Sequence, residues 1–426
     1  MFTKILTKLG FNKEETSWIL YDVANSAQTL TTMTVLFPLL IAHITPGDSS
    51  VYVGWANTSY AVLLAFLSPI LGTIADYKGK KMKFFKLFLT IGIVAGFILA
   101  LPNISWQTCI IIYVIAMIGY TGANVFYDAF LVDVAEDEQR THTISAAGYA
   151  WGYIGSVLPF IIFIIPFAAV TLFGDIQIGG FTLTYRLAIS ISMTCAVLWW
   201  LCYSFPLMRN VKQKHYHEEV EHPIKESFAR LYHTFKNIKH HRNIFLFCLA
   251  YFFYIDSVNT VIKMAISLAT DMGISDTMSL LMVILINIIA FPGAIIYGKL
   301  TNKFGPKKMI YTAIAGYAVI VLAGSQISNN ANWIWVVALM VGAFQGGIQS
   351  VSRSYFALMI PEKEDSNEFF GFFEIFSKFS SILGPLLISI IVGMTNKPEY
   401  GILGLLPAMV IGTILLFFVK DPVKKA

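Results

Sequence analysis

Long apolar stretches alternate with short polar segments along the whole chain. A helix needs about 20 apolar residues to cross the hydrocarbon core of a bilayer, and twelve stretches meet that requirement. They cover residues 18–43, 51–75, 84–102, 106–133, 143–171, 185–208, 243–269, 277–300, 308–328, 332–359, 368–394 and 400–420. The pattern predicts an all-α membrane protein with twelve transmembrane helices, which we number as spans 1 to 12.

The composition agrees with this prediction and excludes a soluble globular domain. Of the 426 residues, 56% are hydrophobic and 13% are charged, whereas soluble domains carry about 25% charged residues. The net charge of +5 is therefore better explained by membrane sidedness than by a nucleic-acid partner. The four cysteines fall in apolar runs without metal-ligand spacing. We therefore expect them to pack as small hydrophobic residues and to form no disulfide framework.

Lysine and arginine residues are concentrated in alternate loops. They lie after span 2, after span 6 and after span 8, whereas the opposite loops contain little beyond Arg186 and Lys397. The positive-inside rule then places both termini in the cytoplasm. We expect a monomeric, multi-pass protein of the cell (inner) membrane, in contact with the lipid bilayer.

The one long polar connection, residues 209–242, separates six spans from six. It predicts an N-terminal six-helix bundle at 1–208, a cytoplasmic linker at 209–242 and a C-terminal six-helix bundle at 243–426. Apolar linker residues that share one helical face predict a helix lying on the membrane surface; they are Phe228, Leu231, Tyr232, Phe235 and Ile238. Six of the eight histidines also lie in this linker, where a metal site or simple solvation would explain them.

The two halves repeat each other in three places. GTIADYKGKK from Gly72 is echoed by GKLTNKFGPKK from Gly298, and YDAF at the end of span 4 corresponds to SRSYF at the end of span 10. The pattern DxxNS from Asp22 returns as DxxNT from Asp256. Three matches in one order, at nearly the same distance along the chain, predict two pseudo-symmetric six-span repeats with a substrate cavity between them.

Several of these motifs resemble a known family. GTIADYKGKK is similar to the loop between spans 2 and 3 of the major facilitator superfamily. WILYDVANSA, GYAWGYIGS and GGIQSVSRSYFALMIPEKEDSNEFFGFFEIFSKFSSILGP resemble the branch that includes the autophagy-related vacuole effluxers and their bacterial relatives. The resemblance extends over nearly the whole chain. It implies two six-helix bundles that rock around a central cavity and export small organic solutes, with amino acids the class associated with the vacuolar members.

Two polar residues, Asp22 and Asn25, interrupt the apolar run of span 1 and share one helix face. A charge in hydrocarbon costs about 2.5 to 3.5 kcal/mol on insertion scales. One interpretation is a helix-terminal charge that the helix dipole favours. The other is a cavity-facing carboxylate that binds a proton or a substrate amine, and the repeated spacing in span 7 supports it.

Asp256 lies near the middle of span 7, with Asn259 and Lys263 on the same helix face. An ionisable residue at this depth is a functional candidate by default, although a structural ion pair would also explain it. Burial favours the protonated form of an aspartate, and a neighbouring cation favours the carboxylate. A group held between these two influences can gain and lose a proton, so Asp256 is the strongest candidate for proton coupling.

Opposite charges gather toward the cytoplasmic ends of spans 4, 10 and 11. The group consists of Asn124, Asp128, Asp133, Arg353, Glu374 and Lys378. These residues could form a gate between the halves. Alternatively, the planar guanidinium of Arg353 could bind a substrate carboxylate. The third alternative is that Glu374 and Lys378 only satisfy each other as an i, i+4 pair.

The loop after span 2 contributes Gly72, Asp76, Gly79 and Lys81. Its glycines permit a tight turn and a close approach between helices. Asp76 could cap a neighbouring helix, or pair with a basic residue, in only one of two transport states. Asn302 replaces Asp76 in the second half, so we expect an asymmetric gate with its charged part in the first half.

Together these features predict a secondary active transporter that moves a small organic, amino-acid-like solute by alternating access, coupled to protons. The outward direction follows from the family resemblance alone. No Walker lysine motif appears, so ATP drive is not expected. We also expect no cofactor and no metal. One rival is a transporter or flippase of an amphipathic or lipid-like molecule, and the other is a non-transporting receptor. An enzyme is not expected, because the spans contain no catalytic His–Asp–Ser or metal-ligand pattern.

Overall fold

The computed structural model describes residues 2–45, 49–218, 226, 241–271, 276–327, 330, 332–395 and 397–421. Within this part of the chain, twelve helices are long and apolar enough to cross a membrane, which confirms the predicted number. In order, they are Lys13–Ile44, Ser49–Ala75, Lys80–Leu99, Trp106–Val134, Glu138–Phe163, Tyr185–Asn210, Arg242–Asp271, Asp276–Phe304, Pro306–Gly324, Trp333–Met359, Ser366–Thr395 and Glu399–Phe418.

Short elements connect or precede the spans. The helix Phe2–Lys8 precedes span 1, and the helix Ile165–Phe173 follows span 5. Two antiparallel strands, Ile176–Ile178 and Phe181–Leu183, lead into span 6. A turn of 3-10 helix, Lys363–Asp365, opens span 11. Two of the spans are built from two helical pieces each, namely span 4 (Trp106–Ala129 and Leu131–Val134) and span 12 (Pro398–Leu403 and Leu406–Phe418).

Odd-numbered spans begin and even-numbered spans end at one face of the bundle, which we call the terminal face. The side-chain amide of Asn243, at the start of span 7, donates to the carbonyl oxygen of Lys420, after span 12, at 2.7 Å. The start of span 7 and the end of span 12 therefore lie on the same side, and the bond from Asn210 Nδ2 to the Ser17 hydroxyl joins the end of span 6 to the start of span 1 in the same way. The cytoplasmic location of this face stays a prediction.

Polar side chains fix the starts of several spans. Asn12 and Glu15 form a capping box at the start of span 1, in which each side chain accepts the backbone N–H of the other residue. Ser105, Asp137 and Thr184 each accept one backbone N–H at the starts of spans 4, 5 and 6. Because the first N–H groups of a helix have no partner within it, these caps set where the spans begin.

The middle of span 1 is a π-helix, Thr29–Leu36, between the α-helices Lys13–Gln28 and Phe37–Ile44. At its end the backbone N–H of Phe37 donates to the carbonyl oxygen of Thr32. Pro38 follows directly and has no N–H to donate, which favours a departure from the α-helical register here. π-helical turns within α-helices are frequent at functional sites.

The first half (spans 1–6) and the second half (spans 7–12) meet along two seams. Span 2 packs against span 11, and span 5 packs against spans 8 and 10. Glycine permits the first contact: a Cβ on Gly72 would lie 2.3 Å from the carbonyl oxygen of Asn367, and one on Gly371 would lie 2.7 Å from that of Ser68. The backbones of spans 2 and 11 can therefore approach more closely than larger residues would allow.

The structure describes only part of the predicted linker. The predicted surface helix over 228–238 lies outside the described residues. Residues 211–218, which directly follow span 6, are described and contact the loop after span 2. The domain limits at 208 and 242 stay predictions.

Candidate functional site

The guanidinium of Arg353 connects the two halves. Its Nη1 donates to Asp128 Oδ1 at 3.0 Å, and its Nη2 donates to Asp22 Oδ2 at 3.2 Å. Its Nε donates to the hydroxyl of Ser145, and its Nη2 also donates to the Ser145 carbonyl oxygen, both at 3.1 Å. Arg353 belongs to span 10, and its partners belong to spans 1, 4 and 5. All of these contacts therefore cross from the second half to the first.

This Arg353 cluster is shielded from solvent. The side chains of Arg353, Asp22 and Asp128 are 4%, 9% and 20% exposed. Removing one partner of a buried ion pair leaves an uncompensated charge and typically costs about 3–5 kcal/mol. The halves can therefore separate here only if the charges find other partners, such as water, a proton or a charged solute.

Aromatic rings of the first half surround the same guanidinium. Its Cζ lies 4.3 Å from the ring centre of Tyr149, 4.7 Å from that of Trp18 and 5.7 Å from that of Tyr127. Trp18 stacks on Tyr127 and donates its indole N–H to the Tyr127 carbonyl oxygen at 2.9 Å. Cation–π contacts contribute about 0.5 to 2 kcal/mol each, so this pocket favours a cation.

Helical spacing and one glycine bring the cluster together. Trp18 and Asp22 are one turn apart in span 1, as are Ser145 and Tyr149 in span 5, so each pair lies on one helix face. A Cβ on Gly148 would lie 2.3 Å from Asp22 Oδ2. Only glycine at this position leaves room for the carboxylate.

Polar contacts continue from the cluster into the first half. The Nδ2 atom of Asn25 donates to Asn124 Oδ1 at 3.1 Å, and the hydroxyls of Thr29 and Tyr120 lie 2.6 Å apart. Asn25 and Asn124, both singled out from the sequence, are thus brought together between spans 1 and 4. Thr29 is the first residue of the π-helix, so the irregular part of span 1 begins within this polar region.

Glu374 and Lys378 form the predicted i, i+4 ion pair on span 11, with 3.0 Å between Oε1 and Nζ. Their side chains are 13% and 26% exposed, so both are partly buried. Lys378 also interacts electrostatically with Tyr60 on span 2 and Tyr120 on span 4. The pair therefore lies beside residues of the first half.

Asp256 is 1% exposed, and its Oδ1 accepts the backbone N–H of Gly384 at 2.9 Å. This bond joins span 7 to span 11 within the second half, which gives Asp256 a structural contact. Asn259 is partly buried on the same span, and the side chain of Lys263 lies outside the described ones. The predicted proton-coupling role of these three residues stays a prediction, and the contact with Gly384 favours the alternative, structural role for Asp256.

Asp76 caps span 11. Its Oδ1 accepts the backbone N–H and the side-chain amide of Asn367, at 2.9 and 2.8 Å, and its Oδ2 accepts the backbone N–H of Glu368 at 3.2 Å. A carboxylate at a helix N-terminus satisfies N–H groups that lack a partner and interacts favourably with the helix dipole. At the repeat-related position, Asn302 donates to the hydroxyl of Thr143 at an exposed site. The two loops therefore make different contacts.

Lys81 provides a second link from the same loop. Its fully buried ammonium donates to Asp133 Oδ2 at 2.7 Å, to the carbonyl oxygen of Ala129 at 3.2 Å and to the hydroxyl of Ser366 at 2.9 Å. Gly79 adopts a positive φ of 68° in the turn that precedes it, a conformation that glycine adopts without strain. Since Ser366 begins span 11, Lys81 also connects the two halves.

Three carboxylates meet beside the Asp76 cap. Oxygen atoms of Asp76, Asp365 and Glu368 lie within 4.8 Å of one another, which is close enough to share a cation. However, Asp76 accepts N–H groups, and Asp365 lies 2.6 Å from His217. These neighbours account for the arrangement, and the expectation that no metal is needed stays a prediction.

Sequence reasoning did not single out Trp18, Ser145 and Tyr149 as partners of the buried charges. Ionisable residues stand out in an apolar span, whereas aromatic residues are common in membrane helices and do not by themselves indicate a site. Two signals were available. Trp18 lies one turn before Asp22, and Tyr149 lies within the GYAWGYIGS motif.

Comparison with known proteins finds relatives along nearly the full chain. The family described as "Vacuole effluxer Atg22 like" matches residues 48–142 and 132–426. The "Uncharacterized MFS-type transporter YxiO" of Bacillus subtilis (strain 168) is 41% identical over 418 residues, which cover 96% of each chain. Autophagy-related protein 22 of Eremothecium gossypii is 24% identical over 456 residues, which cover 91% of this chain and 87% of that protein.

Solved structures share the arrangement of the helices. The proton:xylose symporter XylE has a TM-score of 0.70 at 14% identity, with 96% of each chain covered. FucP, in its outward conformation, has a TM-score of 0.67 at 13% identity, with 96% of this chain and 98% of FucP covered. Both are described as major facilitator superfamily proteins, and these similar proteins are transporters rather than enzymes.

Proposed function

The chain belongs to the vacuole effluxer Atg22-like family and is a transporter of the major facilitator type, and we propose that it is a secondary active transporter. It exports a small, amino-acid-like organic solute by alternating access, coupled to protons. The observation that carries the proposal is the contact of Arg353, in the second half, with Asp22 and Asp128 in the first.

Alternating access requires contacts that break at one face while others form at the opposite face. Arg353, Asp76 and Lys81 hold the halves together on the side of the terminal face. Each contact involves a charge whose partner lies across the interface. Such contacts can be exchanged for water, a proton or a solute charge, which supports a gate that opens and closes.

The balance of charges supports proton coupling. Two carboxylates share the guanidinium of Arg353, so the Arg353 cluster has one negative charge in excess when both are ionised. A proton on either carboxylate removes this excess and weakens one ion pair. Asp128 is 20% exposed and Asp22 is 9% exposed, so Asp128 is the more accessible proton acceptor.

The solute class is supported by the ion pair on span 11. An amino-acid-like solute carries an ammonium group and a carboxylate. Glu374 and Lys378 offer the complementary charges, 3.0 Å apart and partly exposed. A bound zwitterion replaces the internal pair by contacts with its own two groups.

Direction and sidedness have separate support. The family description as effluxers supports export. The lysine-rich loops after spans 2 and 8 lie at the terminal face, and the positive-inside rule favours a cytoplasmic location for that face. The observed contacts then keep the cytoplasmic side closed.

Transport by purified protein in proteoliposomes tests the proposal. Labelled amino acids should cross the membrane at a rate that depends on an imposed pH gradient, and Arg353→Gln should reduce this flux. Arg186→Gln is the matched control, because Arg186 donates to the carbonyl oxygen of Ile104 within the first half. Flipping of labelled lipids without amino-acid flux would favour a transporter of lipid-like molecules. Specific solute binding without flux would favour a receptor.

A further inference from the structure

Residues 211–218, which follow span 6, cross the terminal face where the two halves meet. They form a parallel bridge with the loop after span 2: the N–H of His217 donates to the carbonyl oxygen of Asp76, and the N–H of Lys78 donates to that of His217, both at 3.0 Å. Gln213 Nε2 also donates to the carbonyl oxygen of Asp76, at 3.3 Å. We call residues 211–218 the strap.

The middle of the strap is attached to a residue already described in the interface. Asp133 Oδ1 accepts the backbone N–H of Lys214 at 2.8 Å and that of His215 at 2.9 Å. Asp133 Oδ2 accepts the ammonium of Lys81. The strap is therefore fixed to the first half at the place where Lys81 reaches the second.

Two histidine side chains of the strap reach across to the second half. His217 Nε2 lies 2.6 Å from Asp365 Oδ1, and His215 Nδ1 lies 3.8 Å from Glu364 Oε1. Glu364 and Asp365 belong to the 3-10 turn that opens span 11, directly before the residues that Asp76 caps. The strap thus adds side-chain contacts to the interface that Asp76 holds together.

We propose that the strap is a pH-sensitive latch in which His217 is the switch. An ionised carboxylate only accepts hydrogen bonds, so His217 Nε2 donates to Asp365 whether the ring is neutral or doubly protonated. Only the doubly protonated ring adds an ion pair, which strengthens the bond. Histidine changes its charge between pH 5 and 8. A fall in pH at the terminal face therefore favours the closed arrangement, and this latch rests on the alternating-access function proposed above.

Charged groups lie on two sides of the His217 ring. The acidic groups dominate, because three carboxylates lie within 4.8 Å of one another on the side of Asp365. On the strap side, the ion pair between Lys78 and Glu218 is exposed and balances itself. The titratable groups around the His217 ring are Asp76, Tyr77, Lys78, Glu218, Asp365 and Glu368.

His215 is less suited to act as the switch. Burial lowers the pKa of its ring, and Lys363 and Lys81 act in the same direction, whereas Asp133 and Glu364 oppose them. Its ring is therefore neutral near pH 7. Its 3.8 Å distance to Glu364 is also longer than that of a hydrogen bond.

Distances between spin labels in the full-length protein, in lipid nanodiscs, test the latch. Labels on Lys83→Cys in the first half and Glu362→Cys in the second occupy exposed positions on either side of the interface, with the four native cysteines replaced. Short distances represent the closed arrangement. The ratio of short to long distances should rise about fivefold from pH 8 to pH 6, because a charge-assisted hydrogen bond is stronger than a neutral one. His217→Gln keeps a donor but cannot gain a charge, so it should lose this change, as should Asp365→Asn.

Two controls isolate the switch. His43→Gln should keep the pH response, because His43 lies at the opposite end of span 1 against Tyr185. The distance measurement at pH 8 and pH 6 is repeated in Asp128→Asn. A pH response that persists in this variant does not come from proton binding at Asp128 in the Arg353 cluster. A wild-type pH response in His217→Gln, or a wild-type distribution that pH does not change, would overturn the latch. A single distance under every condition, including Asp76→Asn, would instead contradict alternating access and the latch together.

Discussion

The Nη2 atom of Arg353 lies 3.2 Å from Oδ2 of Asp22, an ion pair between span 10 and span 1. Asp22 is accepted within a membrane span because it contacts this guanidinium rather than lipid. The contact also makes the interface between the halves polar toward the terminal face. The charged side chains of this contact can bind other charged partners when the halves separate. The side chains of a packed apolar interface have no comparable alternative partners.

The first prediction concerns the strength of this cluster. Arg353→Gln should lower the free energy of unfolding by about 3–5 kcal/mol, because two buried carboxylates lose their cation. Denaturant unfolding of the protein in detergent measures the change. The double variant Arg353→Gln/Asp22→Asn should be more stable than Arg353→Gln alone. Strictly additive losses would show that the two side chains do not interact.

The second prediction uses the glycine beside the cluster. In Gly148→Ala the new Cβ would lie 2.3 Å from Asp22 Oδ2 and 3.0 Å from Arg353 Nη2, so the ion pair must move. We expect a loss of stability of about 1–3 kcal/mol and at least a tenfold loss of transport. Gly54→Ala is the control, since nothing lies within 4 Å of its Cβ. Equal transport by the two variants would contradict the proposed role of the cluster.

The third prediction compares the two repeat-related loops. Asp76→Asn removes a charge that accepts two backbone N–H groups at the start of span 11, and loss of a helix cap typically costs about 1 kcal/mol. This change should shift the protein toward opening at the terminal face, measured as faster labelling of Ser366→Cys. Asn302→Ala should leave the labelling rate unchanged. A similar increase in both variants would show that the gate is symmetric.

The repeating apolar stretches were sufficient to predict the number of spans, because each span must satisfy its backbone internally within the bilayer. The ion pair of Glu374 and Lys378 was also predictable, since residues four apart on a helix lie on one face. The contact of Asp76 with span 11 followed in outline from the loop motif. In each case, local sequence carries the information.

Contacts between distant spans could not be derived in the same way. The partners of Arg353 lie in spans 1, 4 and 5, and their choice depends on how the halves pack. The strap contacts of His217 depend on the path of a polar segment that has no periodic pattern. The π-helix at Thr29–Leu36 also escaped prediction, because Pro38 is compatible with several departures from α-helical geometry.

The last prediction decides which carboxylate carries the proton. Asp128→Asn mimics the protonated side chain, so it should abolish accumulation driven by a pH gradient while exchange of solute across the membrane continues. Asp256→Asn retains an oxygen that can accept the N–H of Gly384, and we expect both its fold and its proton-driven accumulation to persist. Parallel measurements of solute flux and of internal pH in proteoliposomes distinguish coupling from simple loss of activity. If Asp256→Asn uncouples transport and Asp128→Asn does not, the proton is carried at the middle of span 7, and the Arg353 cluster acts as a gate alone.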